Sequence, residues 1–86
     1  MNIQDQLHQL AKFFSKNIEE DFENTLEDLL TPEEIKNIYE RIMILQDLKS
    51  GITQREIAKK LWVSVGTVSR GSRILQYGKR EGNFKF

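Results

Sequence analysis

Residues 53 to 75 read TQREIAKKLWVSVGTVSRGSRIL, and the hydroxyls of Thr53 and Ser64 decide how this stretch folds. A hydroxyl placed just before an apolar-periodic run accepts the amide protons that a first helical turn leaves unpaired. At Thr53 a glutamate follows three positions later, Glu56, at the spacing from which it reaches back to the cap amide. This predicts one helix from Thr53 to about Leu61 and another from Ser64 to about Leu75. Only Trp62 and Val63 lie between them, and two short helices so joined make a helix-turn-helix. The positions that such a unit needs apolar hold Ile57, Leu61, Val63 and Val68, and the small residue at the crossing is Ala58. Trp62 is the misfit. It stands where these turns favour glycine, because the backbone there tends to be left-handed, and a locally altered turn is expected.

Working outward towards the N-terminus, Thr31-Pro32-Glu33-Glu34 joins a cap hydroxyl, a proline at the first helical position and a glutamate three residues past the cap. A helix therefore starts at Thr31. Ile35, Ile38, Tyr39, Ile42, Leu45 and Leu48 carry its apolar face to about Lys49, and Ser50-Gly51 ends it. Leu26, Leu29 and Leu30 mark a short helical segment before Thr31. Ile3, Leu7, Leu10, Phe14 and Ile18 recur at helical spacing and predict a first helix from Ile3 to Phe22. Phe13 and Phe22 widen its apolar face enough to suit packing on more than one neighbour, a second chain included. Beyond Gly78 the tail KREGNFKF has too little apolar content to pack as a helix. The expectation is an all-α fold of five helices in one domain. Residues 1–52 form a helical dimerisation region, 53–76 the helix-turn-helix and 77–86 a flexible tail.

A chain of 86 residues buries a modest share of its surface and needs further stabilisation. There is no cysteine, and His8 is the single histidine. Disulfides and a metal site are thereby excluded, and association of subunits is favoured. The N-terminus has neither a basic start nor a long apolar run, so a cytoplasmic protein without a membrane segment is expected. With no glycine-rich phosphate loop and carboxylates that read as solvated helix faces, no catalytic constellation stands out, and an enzyme is not expected.

The formal net charge is zero, but its halves differ. Residues 1–47 carry eleven acids against four bases, net −7; residues 48–86 carry nine bases against two acids, net +7. Clustered positive charge gains affinity by releasing counterions from phosphates, so the basic half points to a polyanion, here double-stranded DNA. Segregated surface charge of no consequence is the competing explanation. In a helix-turn-helix the second helix lies in the major groove while the first crosses the phosphates. The candidates on and before the second helix are Ser64, Val65, Gly66, Thr67, Ser69, Arg70 and Arg73. Gln54 and Arg55 lie at the start of the supporting helix. Val65 suits a thymine methyl, the hydroxyls suit bases or phosphates, and Gly66 lets backbone approach the groove. Lys59 and Lys60 are either phosphate contacts or simply solvated.

The segments LLTPEE at 29–34, TQREIA at 53–58 and TVSRGS at 67–72, together with Arg41 and the Gly51 turn, resemble the Trp repressor family over about Leu29 to Leu75. The resemblance implies a transcription repressor built as an intertwined homodimer. Its first three helices form a shared core, and bound L-tryptophan sets the spacing of the two reading heads, an allostery of differential binding. It also implies a ligand site. Arg41 and Arg70 match the arginines that sandwich the indole, Thr67 and Gly71 match wall positions, and Leu30 and Thr31 match backbone contacts. Two residues depart from the pattern. Ile74 replaces a serine that helps hold the ligand's amino group, and Asp28 replaces an apolar wall residue. Asp28 taking over the ammonium contact is one way the loss could be met. The family's last helix has no counterpart in the tail. For Arg41 a surface ion pair and for Arg70 a phosphate contact remain the simpler alternatives. A helical protein-interaction module without DNA or ligand binding remains the alternative for the whole chain.

Overall fold

The computed structural model describes all of Met1–Phe86 and contains five helices and no strand, the all-α fold expected: α1 Ile3–Lys16, α2 Phe22–Leu29, α3 Pro32–Lys49, α4 Gln54–Leu61 and α5 Val65–Tyr77. Hydroxyl caps start the last three. Thr31 accepts from the Glu34 amide at 3.1 Å while Glu34 accepts from the Thr31 amide at 2.8 Å, a complete reciprocal box. At Thr53 half of the box forms: the threonine hydroxyl accepts from the Glu56 amide at 3.2 Å. Ser64 accepts from the Thr67 amide at 3.1 Å. α5 runs two residues past the expected Leu75, to Tyr77, and stops where the Gly78 amide donates to the Ile74 carbonyl.

The first helix, expected from Ile3 to Phe22, stops early, and the short second helix starts earlier than Leu26. α1 ends at Lys16, the Asn17 side chain donates to the Phe13 carbonyl at 2.8 Å, and Phe22 opens α2. Apolar spacing continued through Ile18, but Glu19, Glu20 and Asp21 would lie against the negative end of the helix, where acids are unfavourable. Asp21 takes a left-handed backbone, φ 65°, and breaks the run.

The chain divides into two compact units, Met1–Ile35 and Lys36–Phe86. In the first, Phe14 packs at 5.8 Å from Phe13 and 5.9 Å from Phe22 between ring centres, yet no residue is buried. In the second, Ile44 of α3, Ile57 and Ala58 of α4 and Val68 of α5 form the core, with Leu48, Ile52, Leu61 and Val63 packed against it. Each of the three large side chains contributes about 1.5–3 kcal/mol through burial. The helix-turn-helix therefore borrows part of its core from α3. The segment after Gly78 forms turns rather than helix. The Lys49 ammonium donates to the Gly82 carbonyl at 2.8 Å, and the Arg80 guanidinium donates twice to the Asn83 carbonyl. No helix is long and apolar enough to cross a membrane.

Candidate nucleic-acid interface and effector cleft

The turn between α4 and α5 keeps the left-handed geometry despite the bulk of its residue, which corrects the expectation of an altered turn. Trp62 caps α4 at φ 58°, ψ 41°, and its side chain is 94% exposed, so the indole meets no neighbour that would force another backbone. The Val63 amide then donates to the Ala58 carbonyl at 3.1 Å, and the chain enters Ser64 and α5.

The DNA candidates fall into two sets. Ser64, Val65, Gly66, Thr67, Arg70 and Arg73 are exposed on the N-terminal turns and flank of α5, and Arg55 is exposed at the start of α4. Gln54 and Ser69 are half-buried and bound to each other, the Ser69 hydroxyl donating to Gln54 Oε1 at 2.7 Å. This bond joins the start of α4 to the middle of α5 and leaves the Gln54 amide protons for an outside acceptor. The Ser64 and Thr67 hydroxyls, 2.9 Å apart, are likewise engaged locally. Gly66 has no internal reason to be glycine. A Cβ there would meet only Ser64 Oγ, at 3.8 Å, although glycine inside a helix costs about 0.5–1 kcal/mol relative to alanine. Lys60, one of the two ambiguous lysines, donates to the Asp47 carboxylate at 3.1 Å. No sequence signal linked these two residues, which lie 13 apart.

The ligand candidates also divide. α3 and α5 face one another along matched i, i+3, i+4, i+7 rows and enclose a cavity of about 490 Å³. α3 lines it with Asn37, Glu40, Arg41 and Ile44. α5 lines it with Thr67, Arg70, Gly71 and Ile74. At Gly71 a Cβ would lie 2.5 Å from Ile44 Cγ2, so any larger residue there must push the two helices or the Ile44 side chain aside. Arg41, Thr67, Arg70 and Gly71 are thus brought together. Leu30 caps the end of α2 and Thr31 starts α3, both in the first unit. Asp28 is exposed on α2. Neither arginine forms a salt bridge, so the surface ion pair considered for Arg41 is not made. Asn37 and Glu40 were missed as wall residues, although they share a helical face with Arg41 and Ile44.

A family model described as Trp repressor protein matches residues 5–85. A Trp operon repressor homolog of Vibrio campbellii (strain ATCC BAA-1116) is 39% identical over 49 residues, 56% of this chain and 49% of the relative. A Trp operon repressor homolog of Xylella fastidiosa (strain M23) is 38% identical over 58 residues, 66% of this chain and 63% of the relative. The matched region spans about half to just under two thirds of these curated relatives. No solved structure matches the chain. With a helix-turn-helix at its centre and a family match from residue 5 to residue 85, this chain belongs to the Trp repressor family.

Proposed function

We propose that the chain is a sequence-specific DNA-binding repressor of the Trp operon repressor type. It acts as a homodimer and is controlled by a small effector, with L-tryptophan the first candidate. The family is one of transcription regulators rather than enzymes. The observation that carries the DNA reading is the exposed N-terminal half of α5, held by α4 and edged by Arg55, Arg70 and Arg73. Gly66 adds to it, since an unforced glycine at the front of that helix leaves room for a groove edge. The dimer reading draws on the exposed apolar row of α1, Ile3, Leu7 and Leu10, in a region proposed to serve dimerisation through residue 52. The effector reading draws on the cavity between α3 and α5, within the size range of ligand pockets.

Duplexes selected from a random pool test the proposal. Binding should weaken steeply as salt rises, the slope counting the phosphates neutralised. Arg70→Ala should lower affinity for the selected duplex and for the effector together, because this residue serves both surfaces. Failure to bind any duplex at low salt would leave the helical protein-interaction module, the function that the open face of α1 would then favour.

A further inference from the structure

We propose that Glu40 is the ammonium anchor of the cleft for a zwitterionic α-amino acid, supplying the negative charge that the cationic Arg41 and Arg70 beside it do not. This rests on the effector reading above. Glu40 is the one acid among the cavity walls, and it is half-buried, whereas residues 31–39 before it on the chain are exposed. Its carboxylate makes no hydrogen bond and lies in no salt bridge with Arg41 or Arg70, although all three line one cavity. Two cationic groups and one anionic group held apart around a cavity, instead of neutralising one another, complement a molecule that carries both charges. On α5, Ile74 supplies no hydroxyl and that of Thr67 is engaged with Ser64, 2.9 Å away. Asn37, one turn before Glu40, adds a neutral donor and acceptor beside the same end. Ile44 and Ile74 leave apolar surface for the side chain of the amino acid. A carboxylate to ammonium hydrogen bond is charge-assisted and about twice as strong as a neutral one. A ligand lacking the amine would leave Glu40 without an ionic partner in the cleft.

Calorimetric titration of the full-length chain with L-tryptophan and with indole-3-propionate, which lacks the ammonium, separates the possibilities. The wild-type protein should bind tryptophan about ten-fold or more tightly than indole-3-propionate. In Glu40→Gln, shown folded by an unchanged thermal melt, tryptophan should weaken by a similar factor while indole-3-propionate holds or tightens, so that the preference disappears. Ile74→Ser in the Glu40→Gln background should restore part of it, by returning a hydroxyl to the cleft. A preference that survives Glu40→Gln undiminished overturns the anchor and leaves the effector reading standing. Wild-type protein that gives heat with neither compound overturns the cleft as an amino-acid site, and the anchor with it.

Discussion

Leu7 and Leu10 of α1 keep 52% and 53% of their surface in water, whereas Ile57 of α4 and Val68 of α5 keep none. Both regions carry apolar residues at helical spacing, and both are capped at their starts. They differ in what closes over the apolar face. In residues 36–86 three helices supply complementary residues from one chain, and Gly71 lets α5 come up against Ile44. In residues 1–35 two aromatic contacts along α1 and α2 leave the rest of the row open. Periodicity thus fixes which residues face a partner, but whether that partner belongs to the same chain is a tertiary matter.

The sharpest way to break this comparison is to empty the closed core and the open face separately. Ile57→Ala should lower stability by about 2–5 kcal/mol in denaturant unfolding, with a loss that does not depend on protein concentration. Leu7→Ala with Leu10→Ala should leave the stability of residues 36–86 nearly unchanged and instead remove stability only at concentrations where the dimer forms, making unfolding less dependent on concentration. Equal, concentration-independent losses from both changes would erase the distinction. Gly71→Ala should cost about 1–3 kcal/mol, because its Cβ has no room beside Ile44; an unchanged melting temperature would mean that the two helices are not held that closely.

The Asp47–Lys60 pair sharpens the comparison by its asymmetry. The Asp47 side chain is 10% exposed and that of Lys60 58%, so removing the lysine strands a carboxylate that water hardly reaches, while removing the aspartate frees a lysine into solvent. Lys60→Met should therefore cost about 1–3 kcal/mol and Asp47→Asn less than about 1 kcal/mol. Equal costs in thermal unfolding would mean that the carboxylate is better hydrated than its surroundings indicate. The smallest effect is a gain. Trp62→Gly should stabilise the chain by about 0.5–1 kcal/mol by relieving a left-handed backbone without removing any buried surface. A loss would show that the indole packs somewhere.

The last three helices were legible because their signals are local. Thr31, Thr53 and Ser64 each act within three residues of themselves, and Ile57, Ala58 and Val68 occupy fixed slots of a known motif. The end of α1 was not, since apolar spacing ran on through Ile18 while the side chain of Asn17 and the acids after it broke the helix. Of the cleft, Arg41, Thr67, Arg70 and Gly71 were reached through resemblance to a family. Glu40 and Asn37 were passed over because a carboxylate or an amide on a helix reads as solvated until the facing helix is placed. Trp62 marked the turn correctly and misled about its shape: an exposed side chain tolerates a backbone that a packed one would resist.

The central claim is that the front of α5 enters a duplex groove. Amide resonances of the full-length chain, followed by NMR during titration with a duplex selected from a random pool, test it most directly. The account predicts that the largest shifts fall between Thr53 and Arg73, centred on Ser64 to Arg70, while α1 and α2 stay in place. Shifts centred on α1, or none across Val65 to Arg73 at saturating duplex, would contradict it.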